Sequence, residues 1–439
     1  MIDLVLRNQI ADIIYFSILL LGLALFFFII KMIIDGWLAY KTKEFVLSRD
    51  RVLLEVRIPR EITKTPVAME LFFTAMQETG RDGNWYETLT QGKTRPFFSF
   101  EIASIEGKIH FFIWTEAGFR PRLEAQLYAH YPEIEIIEVP DYARMVDYSP
   151  DTHGLFVGEL KLSKDQAVPL KTYRKFGLDK PAKEEEKIDP ISQTLESMAS
   201  MRTGEQMWVQ IVVRGHKKDN KVSASWPERG EALGKFFKHI TFAFNSGDAI
   251  QSLRTALFGI KWVDWTEEGK KELKKRREKP AEDIRPEYTP EEKEMLELME
   301  QNLSKPAFDT GVRVIYLADK EHFSPATRIT MLLTLFKQYS SEAYNGFKPG
   351  LVSDFDYPWQ DKSGKIKEKI RQDGLRDYRR REFFYSEKEY AHGKKGYPVF
   401  VLTTEELATI YHLPGSVVQT PTFDRIESTT GQAPANLPT

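Results

Sequence analysis

From Ile13 to Ile30 no side chain carries a charge, and beyond Lys31 the apolar run continues to Ile34. As a helix rising 1.5 Å per residue, the uncharged run covers about 27 Å, and continuing to Ile34 covers the roughly 30 Å hydrocarbon core of a bilayer. Phe26, Phe27 and Phe28 leave it no polar face. Lys31 can snorkel to the headgroups, and Trp37 and Tyr40 follow where an interfacial aromatic belt would sit. The pattern predicts a membrane span with its flank over 13–40, anchored through Ile13, Leu20, Phe27, Ile30, Trp37 and Tyr40, after a short segment at 1–12. A secretory signal would place its basic residues before the apolar run and a small-x-small cleavage site after it. Here Arg7 alone precedes the run, and Lys31, Lys41, Lys43, Arg49 and Arg51 follow it. The positive-inside rule then predicts an external N-terminus and a cytoplasmic body of about 400 residues.

Past the span the apolar period switches to two. Val52, Leu54, Val56 and Ile58 alternate with mostly charged neighbours, as in a half-buried strand. Thr65-Pro66 opens a helix with Met69, Phe72, Phe73 and Met76 on one face. The stretch 80–92 reads as a polar loop carrying Trp85 and Tyr86. Phe98, Phe100 and Ile102 predict a second strand, Glu106-Gly107 a turn, and Ile109, Phe111 and Ile113 a third strand. This register turns Phe100 inward and Glu101 outward to solvent. A helix with Leu123, Leu127 and Tyr131 and a strand over 134–139 complete strand–helix–strand–strand–helix–strand within 46–145. That order predicts an α+β fold of the ferredoxin-like, split βαβ type.

The order returns over 150–413. Strands are predicted at 155–162, at Met207 to Val213, at Val312 to Tyr316 and at 397–402, with helices after Asp189-Pro190, around Leu332 and from Thr404. A second ferredoxin-like α/β sandwich results if insertions occupy about 217–307 and 341–396. Residues 414–439, Pro- and Thr-rich and aperiodic, read as an extended tail.

Composition narrows the chemistry. The chain has no cysteine, which excludes disulfides, thiolate zinc sites and cysteine nucleophiles. A net charge of −2 argues against bulk nucleic-acid binding. A phosphate loop needs GxxxxGK followed by Ser or Thr; Gly230 to Lys235 is one residue short, and Phe236 stands where the hydroxyl belongs. The eight histidines form no metal-binding pair, and His110 reads as a cross-strand residue on a sheet face. No catalytic, cofactor or metal residue is predicted. Two basic clusters remain. Lys270, Lys274 and Arg277 share a helical face, and Tyr378 sits beside Arg379, Arg380 and Arg381. Either could contact DNA through phosphates and base stacking, meet anionic lipid, or form a solvated face.

Lys305 to Tyr316, Asn345 to Pro349 and Leu402 to Gly415, with Thr420-Pro421 and Arg425 to Ser428, resemble a family of bacterial single-pass membrane proteins. That family resembles the membrane-anchored region that precedes conjugation-type, type IV secretion ATPases by fusion or gene neighbourhood. The resemblance runs from the span to the tail and carries no known chemistry of its own. It implies the inner membrane as location, an oligomer within a larger complex, and a separate secretion ATPase as partner. In fused relatives the ATPase would follow the tail, so a helix ending at Pro414, with Glu405, Leu407, Tyr411 and Leu413, is the expected docking element. The departure from the phosphate-loop pattern means that no ATPase residue transfers to this chain.

Overall fold

A computed structural model describes residues 2–59, 64–77, 83–180, 189–216, 290–354, 358–384 and 399–415. Helix α1, Ile2–Leu47, is longer at both ends than the predicted span, and nothing in it breaks a helix: it contains no proline. Its segment Ser17–Leu47 is long and apolar enough to cross a membrane.

The chain then builds β1 (Arg51–Arg57), α2 (Pro66–Met76), α3 (Trp85–Gln91), β2 (Phe98–Ile105), β3 (Lys108–Glu116), α4 (Arg120–His130) and β4 (Glu135–Glu138). Proline in the first turn starts α2, where a missing N–H costs nothing. Glu106 and Gly107 both have positive φ, 54° and 85°. That is the geometry of a two-residue hairpin turn whose twist matches its strands. The stretch 80–92, expected as a loop, contains α3. Its start is fixed by a capping box in which Asn84 and Glu87 each accept the other's backbone N–H.

The short helix α5 (Tyr142–Met145) leads into β5 (His153–Leu162), α6 (Ile191–Ala199), β6 (Glu205–Gly215), α7 (Pro290–Ser304), β7 (Ala307–Asp319), α8 (Pro325–Leu333), β8 (Phe347–Val352), α9 (Lys365–Arg380), β9 (Phe400–Thr403) and α10 (Thr404–Ile410). Every strand pairing among the described residues is antiparallel. The strands form one nine-stranded sheet in the order β4-β1-β3-β2-β6-β7-β5-β8, with β9 alongside β7. Strands of both predicted units therefore lie in a single sheet, joined where β2 pairs with β6 from Phe98↔Val213 to Ile105↔Gln206.

The strand expected at 397–402 does not close the second half. β8, inside the expected insertion, pairs with β5, while β9 pairs with Ala307–Thr310 of β7. Pro349 shows why periodicity missed it: proline cannot donate to a ladder and is tolerated only at an edge such as this one.

Both faces of the sheet are covered. On one, α2, α4, α6, α8 and α10 lie over Phe100, Phe111, Val209 and Val314. On the other, α5 and α9 lie over Phe112, Trp114, Trp208 and Ile315. Glu101, expected to face solvent, is therefore 0% exposed.

Candidate functional site

The covered second face holds a closed polar network. Glu101 of β2 lies opposite Gln210 of β6 in register. Its carboxylate receives Arg381 Nε at 2.9 Å and Nη2 at 3.1 Å. Tyr142 Oη at 2.8 Å, Gln210 Nε2 at 3.0 Å and Ser99 Oγ at 2.7 Å also donate to it. Asp141, the N-cap of α5, takes the other side of the same guanidinium, with Nη2 to Oδ1 at 2.9 Å. Burial raises the Tyr142 and Tyr378 phenols well above their ordinary range, and the charge of Glu101 adds to the rise. Burial also opposes the charge on Arg381, but the two carboxylates more than offset it.

This network corrects the second basic cluster. Tyr378 is buried between Trp208 and Tyr142, not free to stack on bases. Arg379 donates to the Ala143 and Val146 carbonyls at 2.8 and 2.6 Å, tying α9 to α5. Arg381 is buried with φ 48°, ending α9 in the left-handed conformation. Only Arg380 of that basic triplet is exposed. Lys270, Lys274 and Arg277, and the 230–236 stretch, lie outside the described residues.

The expected docking element is likewise inside the molecule. Glu405, Leu407, Tyr411, Leu413 and Pro414 are all buried. Tyr411 packs against Phe100 and Phe111, and its hydroxyl donates to the Phe112 carbonyl. Thr403 and Glu406 form a capping box, and Glu406 also accepts the Leu170 N–H at 2.9 Å. Burial pushes the Glu406 carboxyl up to about 7, although the N–H groups of Thr403 and Leu170 pull it down. Glu405 is held by Lys305, Thr172 and Arg174, and Lys305 and Arg174 also reach Glu70 of α2. The tail after Gly415 lies outside the described residues.

Beyond its apolar stretch, α1 meets α3. The Trp37 indole N–H donates to the Leu89 carbonyl at 2.8 Å. Gly92 caps α3 at φ 68°, and a Cβ there would lie 2.1 Å from the Lys41 carbonyl. Two helices can approach this closely only because that Cβ is missing. Of the expected anchor residues, Phe27, Trp37 and Tyr40 are exposed and Ile30 is partly so. Ile13 and Leu20 lie in α1, with side chains outside the described set. His110, at 2.6 Å from Glu55 across the β1–β3 pair, holds that carboxyl below its ordinary range.

Chemically, the carboxylates of both networks are engaged by cations or N–H and O–H donors. No group of three or more metal-ligating side chains could hold an ion among the described residues. What remains for a functional assignment is family. A family model described as "Domain of unknown function (DUF8128)" matches residues 38–426. The chain belongs to the DUF8128 family. No curated protein matches it. The DUF8128 match takes in α3, the whole sheet, both polar networks and α10, and it begins beyond Ile34. The buried charges thus belong to the architecture of the DUF8128 unit, whereas the apolar stretch of α1 lies before it.

The residues that sequence reasoning missed were Glu101, Asp141 and Gln210. A signal was present: Glu101, Gln210 and Arg313 form a cross-strand row on three adjacent strands, flanked by Trp114 and Trp208. Long polar side chains in register between tryptophans fit a covered face better than a wet one.

Proposed function

We propose that this DUF8128 protein is a non-catalytic, membrane-anchored component of a type IV secretion or conjugation-like apparatus. It would position a separate ATPase at the cytoplasmic face of the bacterial inner membrane, with its N-terminus outside. Its body would be two ferredoxin-like units fused edge to edge. The strand order supports that last point, because β4-β1-β3-β2 and β8-β5-β7-β6 are the same arrangement read from opposite ends of the sheet.

The observation that carries the positioning role is the junction between anchor and body. Helix α1 runs unbroken from the apolar stretch to Leu47. Val46 near its end packs into the second-face core, and Trp37 is bonded to α3. A body joined this way has a set position and orientation relative to α1, which a flexible linker would not give. Capture at a surface raises a partner's effective concentration, so even weak contacts would hold an ATPase in place. The DNA-binding reading is less favoured, because Tyr378, Arg379 and Arg381 are committed to internal partners.

The test is affinity purification of the tagged full chain from native membranes, compared with a chain ending at Gly415. Co-purification of a secretion-type ATPase with the full chain, and its loss from the shorter one, is the expected outcome. Recovery of DNA without any ATPase, sensitive to salt, would replace this reading with nucleic-acid binding.

A further inference from the structure

Outside α1, few large apolar side chains of the described residues are exposed, and three of them share one seven-residue helix. Trp85 is 78% and Tyr86 58% exposed, and Leu89 is the third. A helix capped at both ends that presents two aromatics to solvent needs a partner for them. Its position says which. Along α3 from Gly92 to Leu89, the contact on α1 moves from Lys41 back to Trp37. Falling residue number in α3 therefore follows falling number in α1, towards the apolar stretch that ends at Ile34. Trp85 and Tyr86, at the start of α3, lie at the end nearest that stretch. Trp37 and Tyr40 of α1 are exposed as well, with Lys41 at 5.3 and 5.8 Å from the two ring centroids. Lys43, three residues past Tyr40, and Arg49, just beyond the end of α1, are also exposed.

We propose that α3 is a second membrane contact, inserted at the headgroup–acyl boundary through Trp85, Tyr86 and Leu89. This inference rests on the reading of α1 as a membrane span. The occupant is lipid: aromatic rings with one polar tip favour that boundary, and Lys43 and Arg49 add attraction for anionic headgroups. The patch is continuous with the span through the Trp37–Leu89 bond, so it needs no separate protein to complete it. A span alone leaves its tilt and its rotation about its own axis weakly specified; a foot beside it restrains both.

Because the chain has no cysteine, a single nitroxide can be placed at will. Three full-length variants, Trp85→Cys, Leu23→Cys and Lys337→Cys, are labelled and reconstituted in phosphatidylethanolamine–phosphatidylglycerol vesicles. Collision with oxygen and with a water-soluble nickel chelate reports depth. Label at 23 should meet oxygen and lose almost all nickel collisions, and label at the exposed position 337 should show the reverse. Label at 85 should lie between them, losing most of its nickel collisions relative to 337. Adding Gly92→Ala, which drives a Cβ into the Lys41 backbone, should return the label at 85 towards the 337 profile. A label at 85 indistinguishable from 337 while 23 stays deep overturns the α3 contact alone. A label at 23 that is open to nickel overturns the span itself.

Discussion

Replacing Arg381 by alanine would leave the buried Glu101 carboxylate and the half-buried Asp141 carboxylate without the cation between them. Removing one partner of a buried ion pair costs about 3–5 kcal/mol, because the remaining charge stays desolvated. Arg380→Ala, one residue away but exposed, should change stability by less than about 0.5 kcal/mol. Denaturant unfolding of the two variants measures both, and equal losses would remove Arg381 from its role as a pin. The comparison also bears on interpretation: a charge reversal at 379–381 that abolished any activity would report unfolding before it reported a lost contact. At this scale the sequence misled in a definite way. Alternation along β2 identified Phe100 as inward correctly, and Phe72, Phe73 and Tyr411 surround it. The same alternation assigned Glu101 to water, because periodicity distinguishes two faces and cannot tell whether the second is covered. Tyr378 and Arg381 failed for the same reason: a basic run at a helix end looks identical whether solvent or Glu101 lies beyond it.

Among the elements, α10 is the clearest difference between pattern and structure. As the expected docking element it should present a face to a partner, yet every residue of α10 is buried. Small side chains let the helix fit between the sheet, α2 and the segment around Leu170 to Tyr173. A chain ending at Gly415 should therefore fold as the full body does, whereas one ending at Thr403 should not. Losing Tyr411 alone removes a buried aromatic, about 3–5 kcal/mol, and Leu407, Ile410 and Leu413 go with it. That sum reaches the total stability of about 5–15 kcal/mol available to a folded domain. Circular dichroism melts of the two truncations check this; a cooperative melt from the chain ending at 403 would show that α10 is dispensable. Other elements were legible where a local rule decides them. The Glu106-Gly107 turn and the proline starts of α2 and α4 follow from residue type alone. Helix α3 was legible too, through Asn84, Glu87 and Gly92, but Trp85 and Tyr86 hid it, because no amphipathic face survives in seven residues. β8 was not, since Pro349-Gly350 reads as a turn and only the edge position beside β5 makes it a strand.

Across the whole molecule, the two halves share more than a linker. β2 and β6 pair along their length, Phe73 meets Phe308 with ring centroids 6.1 Å apart, and α10, from the end of the chain, packs on α2 near its beginning. Separating the halves would expose two long strand edges with unpaired N–H and C=O groups as well as the apolar surface beneath α10. Neither half should therefore persist while the other unfolds. The repeated strand order argues for two independent domains, and the continuous core argues for one cooperative unit; the interface decides, because it is built like the interior of either half. Cysteine placed at the buried positions Ala103 in β2 and Ala318 in β7 gives a reporter in each half, with no native thiol to interfere. In the full chain held in detergent, both thiols should become reactive over the same range of denaturant, with the loss of circular dichroism coinciding. If Ala318→Cys were labelled at a denaturant concentration where Ala103→Cys stayed protected, the second half would be opening alone. The β2–β6 seam would then be a contact between domains. A shared transition would instead mean that a force applied anywhere on the body is carried through one sheet towards α1.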